Sequence, residues 1–161
     1  MADDEAWKGI VASSLDWEQA HLSLDNALKD LPANIRGRRP EGLPYSPWEL
    51  LEHIRISQHD LLDFLQNPNY RHDLKWPDDY WPPQGGEIND EMWENTLCEI
   101  RCERDELKKF TTEPGRDLTA KIPHGTGQTY LRTILVAVDH TSYHLGELIV
   151  VRRSLGAWPE D

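Results

Sequence analysis

The sequence predicts an all-α protein: a four-helix bundle with a long crossover between its second and third helices. Four segments repeat apolar residues at helical spacing, and none shows the sustained alternation and hairpin signals of β-strands. The connection at residues 67–88 is too long for a hairpin between neighbouring helices but can run the length of a bundle, so we expect these two helices to be parallel. With 161 residues, the chain is expected to form one domain over residues 1–161.

The first predicted helix covers about residues 5–31. Two seven-residue series form an a/d seam along it: Trp7, Ser14, His21 and Leu28, and Ile10, Trp17, Leu24 and Leu31. We expect the helix to end before Pro32, because the residue preceding a proline avoids the helical conformation. This pattern directs His21 towards a neighbouring helix.

The second predicted helix has the clearest start. In SPWE, Ser46 can cap the helix, Pro47 suits the first helical position, and Glu49 can complete a capping box. Its inner face continues to about Gln66, with His53 on the flank.

The third predicted helix begins at Asn89 or Asp90 and stops near TEPG at residues 112–115. The fourth runs from about residue 129 to 155, with Gly156 as its stop. Apolar residues fill so much of the fourth helix that we expect it to be the most buried. Cys98 and Cys102, four apart on the third helix, fit an exposed face better than a soft-metal site because charged residues surround them.

The connection at residues 67–88 is rich in aromatic residues and prolines. Trp76, Tyr80 and Trp81 can either form a lid over a site or simply attach a long loop to the bundle. Both interpretations are open from sequence.

The charge argues against several classes of partner. A formal net charge of −12 opposes binding to nucleic acids and to anionic membranes, which both repel an acidic protein. The first residues, MADDEAWKG, have no positive n-region and no apolar stretch, so we expect no targeting signal there. The longest apolar runs, at residues 134–138 and 148–151, are too short to cross a bilayer. We therefore expect a cytoplasmic protein with no nucleic-acid and no membrane partner.

Two histidines on the fourth helix point to metal chemistry. His140 and His144 share one helix face, since they are four residues apart, and such a pair can chelate a divalent ion. A two-ligand site is weak, so a third ligand is needed. His53 lies about two turns from the start of the second helix, which antiparallel packing brings to the depth of His144. The alternative is that all three are ordinary core residues.

The other histidines have weaker claims. His59, His72 and His124 are expected at the surface or in structural roles. His21 is either beside the metal site or substrate pocket, or a hydrogen-bonded core residue.

Three stretches together resemble the DinB-like superfamily, also called the YfiT/DinB group of metal-dependent enzymes: SPWELLEHIRISQHD, IPHGTGQT and DHTSYHLGELIVVRRSLGAWP. The similarity covers essentially the whole chain. The resemblance implies an up-down-down-up bundle in which His53, His140 and His144 bind a divalent ion. Nickel, zinc, iron and manganese all suit such ligands.

The resemblance also frames the expected function. Three protein ligands leave positions open for water or substrate, as in catalytic sites. We expect a metal-dependent enzyme, a transferase or hydrolase that activates a thiol or water for attack on a small molecule, with a low-molecular-weight thiol as one candidate substrate. The alternative is a non-catalytic binding module with a structural metal. Glu147 and His21 are the catalytic candidates, Glu147 as a base or an outer-sphere partner, whereas Asp139 is expected to contact another helix. The resemblance also implies a homodimer, for which no feature of the sequence identifies an interface.

Overall fold

The computed structural model describes residues 2–16 and 20–159, and every regular element within them is helical. The α-helices are α1 (Ala2–Ser14), α2 (Leu24–Leu28), α3 (Pro47–Gln66), α4 (Asp90–Thr111) and α5 (Tyr130–Ser154), with 3₁₀ turns at Ala33–Ile35 and Asp78–Tyr80. The all-α prediction is therefore confirmed. The second, third and fourth predicted helices correspond to α3, α4 and α5.

The start of α3 is fixed by the capping box that the sequence predicts. The backbone N–H of Glu49 donates to Ser46 Oγ (3.2 Å), and the backbone N–H of Ser46 donates to Glu49 Oε2 (2.8 Å). Arg39 donates to both oxygens of the same carboxylate. These contacts satisfy orphan donors at the helix end and fix where the helix bearing His53 begins.

Contacts between helices give their directions. Thr96 Oγ1 donates to Glu52 Oε1 (2.6 Å), and further along both helices Gln58 Nε2 donates to the Ile100 carbonyl (2.9 Å). Helices α3 and α4 are therefore parallel, as the long connection predicts. Helix α5 is antiparallel to α3, because the carbonyl of Phe64 near the end of α3 accepts from His124 just before α5.

Two clusters of buried apolar residues hold the bundle. One lies near the start of α3 and the end of α5 and includes Leu50, Ile54 and Leu148, all fully buried. The other lies at the opposite end and includes Leu107 and Ile134. Burying each such side chain stabilises the fold by roughly 1.5–3 kcal/mol. Because these side chains pack α3 against α5, they also fix which residues of the two helices lie at the same level.

The first predicted helix is wrong as a continuous element. Helix α1 ends at Ser14, and α2 begins after Ser23, whose side chain accepts from the backbone N–H of Asn26. A capping serine starts a new helix where the heptad pattern predicts the middle of an old one. Ile10, predicted to face inward, is 59% exposed, and the seam position Trp17 lies outside the described residues.

A buried arginine connects α2 to the end of α5. Arg152 is only 1% exposed, and its guanidinium donates to the carbonyls of Ala27 (2.6 Å) and Ala157 (2.9 Å). Five residues are too few for an independently stable helix. Tertiary contacts of this kind therefore hold α2 in place.

Further expectations concern α4 and α5. Cys98 and Cys102 are free and exposed, as predicted. By length and composition α5 could cross a membrane, a test that the core helix of a soluble protein also passes. The expectation that this helix is the most buried is wrong, because a larger share of the residues of α3 is buried and α5 keeps an exposed outer face. The apolar side of α5 packs on α3, which is compatible with a soluble protein.

Candidate metal centre

The structure brings His53 of α3 together with His140 and His144 of α5. The Nε2 atom of His53 lies 3.0 Å from Nε2 of His144 and 3.0 Å from Nε2 of His140. One ring nitrogen from each residue falls within a group no wider than 4.8 Å. Three imidazoles from two packed helices thus present nitrogen atoms to one point.

The other nitrogen of two of these rings is already occupied. His53 Nδ1–H donates to the backbone carbonyl of Tyr80 (2.7 Å), and His144 Nδ1–H donates to Glu147 Oε2 (2.7 Å). A proton on Nδ1 leaves a lone pair on Nε2, the form that binds metals. The tautomers follow from these partners, since a carbonyl and a carboxylate can only accept.

These tautomers make the 3.0 Å approach of His53 Nε2 to His144 Nε2 chemically informative. Two neutral rings protonated at Nδ1 direct lone pairs at each other, so no hydrogen bond joins them. A cation between the rings converts this repulsion into coordination. The donor set therefore fits a divalent ion, with a carbonyl and a carboxylate as the outer hydrogen-bond partners typical of histidine sites.

Burial keeps the three rings neutral. His53 is 1% and His144 8% exposed, and His140 is part-buried. Burial lowers the pKa of all three. For His140 and His144, repulsion from neighbouring imidazoles adds to the effect of burial and brings each pKa to about 4. Protons therefore compete weakly with a metal ion near neutral pH.

An aromatic stack covers the ring of His53. The Trp81 indole lies face to face on His53, with centroids 3.9 Å apart and an angle of 1° between the planes. Tyr45 stacks on the other face of Trp81 at 4.0 Å and 8°. The aromatic connection at residues 67–88 therefore contacts the site through Tyr80 and Trp81, whereas Trp76 is 69% exposed.

The two catalytic candidates have different surroundings. Glu147 bonds His144 directly, and burial raises the pKa of this carboxyl group. His21 is exposed, contrary to the predicted inward position, because it lies in the break between α1 and α2. It approaches Ser142 (3.4 Å), which is about 200° around α5 from His140 and His144. The structure does not bring His21 to the histidine group.

The remaining predicted positions lie away from the group. His59 contacts Glu103, His72 contacts Tyr70, and His124 contacts Phe64, as expected for surface and structural histidines. Asp139 is exposed, and among the described residues no hydrogen bond or ion pair connects it to another helix, so its predicted helix–helix contact is wrong. Its position on the outer face of α5 explains this.

Sequence reasoning missed two partners of His53. The Tyr80 carbonyl and the Trp81 ring come from a connection that starts well after His53 along the chain. A backbone carbonyl has no signature in a sequence. The only available signal was the aromatic content of the connection, which did not decide between a lid and an attachment.

The pocket of about 1040 Å³ is not at the histidine group. It lies at the other end of the bundle, beside Phe110 and Tyr130. Another of about 680 Å³ has Tyr45 and Trp81 among its walls and therefore borders the aromatic stack on His53. Donor chemistry, which needs no large cavity, identifies the candidate centre.

A family model described as the DinB superfamily matches residues 16–148, most of the chain and all three histidines. No curated protein and no solved structure was found to match.

Proposed function

The chain belongs to the DinB superfamily, and we propose that it binds one divalent metal ion through His53, His140 and His144. The convergence of three Nε2 atoms carries this proposal, because two of the rings have Nδ1 committed to other acceptors. Nickel, zinc, iron and manganese remain the candidates, since imidazole suits each of them.

We further propose that the bound metal serves catalysis on a small molecule, as a transferase or hydrolase. When bound by three protein ligands, such an ion lowers the pKa of a coordinated water or thiol and makes it a nucleophile near neutral pH. A small-molecule substrate, for which a low-molecular-weight thiol is one class, suits the coordination positions that three protein ligands leave open.

The chain's own residues have definable parts in this proposal. The Tyr80 carbonyl and the Glu147 carboxylate hold protons at Nδ1 of their histidines and keep both rings oriented. Of its two expected roles, the hydrogen bond supports Glu147 as an outer-sphere partner. The Trp81 ring excludes water from one face of His53.

A structural metal is the second candidate function. The histidines come from α3 and α5, and His53 and His144 are buried, so an ion shared by them would also cross-link two helices of the bundle. In that case the metal would contribute mainly to stability.

Metal content tests the first proposal. We expect purified protein, or chelator-stripped protein reloaded with zinc, to contain one metal ion per chain by elemental analysis. His144→Ala should abolish stoichiometric binding, because two imidazoles make a weak site. His72→Ala is the matched control, since His72 is exposed and outside the group. Equal metal content in His144→Ala and wild type would refute the proposed ligands.

An exchangeable coordination position separates the two functions. Cobalt-substituted protein should change its visible spectrum on addition of a small thiol if the metal is catalytic. Thiol-transfer and ester or amide hydrolysis assays should then show turnover that His144→Ala lacks. A large loss of melting temperature on metal removal, with no spectral response and no turnover, would favour the structural metal.

A further inference from the structure

Asp60 attaches the aromatic connection at residues 67–88 to α3, the helix that bears His53. It lies on α3 seven residues after His53, on the same side of the helix. Its Oδ2 accepts from the Tyr80 hydroxyl (2.6 Å), and its Oδ1 accepts from the Tyr70 hydroxyl (2.8 Å). One carboxylate therefore fixes two points of the connection.

Tyr80 links Asp60 to His53 within a single residue. Its hydroxyl bonds Asp60, while its backbone carbonyl accepts from His53 Nδ1–H (2.7 Å). Seven helical residues correspond to about 10 Å along the axis. The hydroxyl and the carbonyl oxygen of Tyr80 therefore contact residues about two turns apart on α3. Tyr80 is 6% exposed, and the next residue, Trp81, stacks on His53.

We propose that Asp60 is a positioning residue for the metal site: through the Tyr80 hydroxyl it places the Tyr80 carbonyl that holds His53 in its metal-binding orientation and tautomer. The inference rests on the proposed metal-binding function. Asp60 itself contacts none of the three histidines through a described hydrogen bond, so its influence on the site passes through Tyr80.

The chemistry of the pair suits this role. A hydrogen bond to a carboxylate is stronger than one between neutral groups. Burial and the Asp60 carboxylate both raise the pKa of Tyr80, so its hydroxyl remains a donor. Without this bond the position of the Tyr80 carbonyl would depend on the remaining contacts of the connection, such as the stack of Trp81 on His53, and the acceptor of His53 Nδ1–H would be less firmly placed.

The two tyrosines provide a matched pair of variants. Tyr80→Phe removes the hydroxyl on the path to His53 and retains the ring and the carbonyl. Tyr70→Phe removes an equivalent hydroxyl from the same carboxylate but leaves that path intact. We expect Tyr80→Phe and Asp60→Ala to weaken zinc binding roughly tenfold in competition with a chromophoric chelator. Tyr70→Phe should stay within about twofold of wild type, because Tyr70 lies outside the His53 path.

A metal-free measurement tests positioning directly. Long-range ¹H–¹⁵N spectra distinguish Nδ1–H from Nε2–H histidine, and the His53 signals can be assigned with His53→Gln. In the metal-free protein we expect wild type and Tyr70→Phe to show His53 as the Nδ1–H tautomer, and Tyr80→Phe and Asp60→Ala to show a mixture. If wild type bound no zinc, the proposed function would fail, while these spectra would still decide the role of Asp60.

Two results would overturn the inference. One is unchanged zinc affinity and an unchanged His53 tautomer in Tyr80→Phe. The other is an equal loss of affinity and of melting temperature in both Phe variants, which would make Asp60 a general attachment point for the connection and not a positioning residue.

Discussion

Acidification should destabilise the metal-free protein through the histidine group. The pKa of His140 and of His144 is about 4 in the folded protein, below the ordinary value of 6.5, because burial and neighbouring imidazoles oppose the charged form. The unfolded chain therefore takes up protons at these residues before the folded chain does. This contribution to stability is present above pH 6.5 and is lost as the pH falls from 6.5 towards 4.

The size of the effect follows from the two pKa values. For one histidine, moving from about pH 7.5 to about pH 5 costs about 2 kcal/mol of unfolding free energy, since one unit corresponds to about 1.4 kcal/mol. His140 and His144 together would lose up to about 4 kcal/mol if both remain neutral in the folded state, and less if part-buried His140 takes up a proton. That is a large share of the stability of an ordinary domain.

Urea unfolding of chelator-stripped protein at both pH values measures this loss. His144→Asn removes one of the titrating rings and reduces the repulsion on His140. We expect the variant to lose about 2 kcal/mol less than wild type between the two pH values. His72→Ala, which changes an exposed histidine outside the group, serves as the control variant.

Two outcomes would refute the reasoning. Equal pH dependence in wild type and His144→Asn would mean that the ring of His144 is not held neutral by its surroundings. Greater stability of wild type at about pH 5 would mean that the folded state favours the charged imidazoles, contrary to their depressed pKa values.

Three further changes test parts of the site and of its framework. Glu147→Gln replaces the charged acceptor of His144 Nδ1–H, and we expect roughly tenfold weaker zinc binding in a chelator competition assay; unchanged affinity would remove Glu147 from the outer sphere. Ser46→Ala removes the cap of α3 and should lower the unfolding free energy in urea by about 1 kcal/mol, whereas no change would mean that the capping box contributes nothing. Trp81→Ala uncovers one face of His53, so the pKa of His53 in an NMR titration of metal-free protein should rise towards its ordinary value; a constant pKa would show that the indole does not desolvate the ring.

Local signals in the sequence predicted the parts of the fold that depend on neighbouring residues. Ser46, Pro47 and Glu49 lie within one turn, and their side chains and backbone alone define the start of α3. The four-residue spacing of His140 and His144 likewise follows from helix geometry. The level of His53 could be inferred because the starts and ends of two antiparallel helices fix their relative depth.

The first predicted helix shows where such reasoning fails. A seven-residue repeat shows which positions are apolar. It does not show whether a serine within the repeat ends one helix and caps the start of another. Ser23 caps α2, and His21 consequently lies exposed before that cap. The partners of His53 in the connection were inaccessible for another reason, because the path of a long loop depends on contacts such as Asp60 with Tyr80.

The buried Arg152 couples the two ends of the fold energetically. Its guanidinium bonds the carbonyl of Ala27 near the start of the chain and that of Ala157 near its end. Fraying of the last turn of α5 would therefore release α2 as well, and protection of α2 amides against hydrogen exchange should depend on residues more than a hundred positions away. Removing Arg152 and the residues after it should therefore destabilise α2, which lies near the other end of the chain.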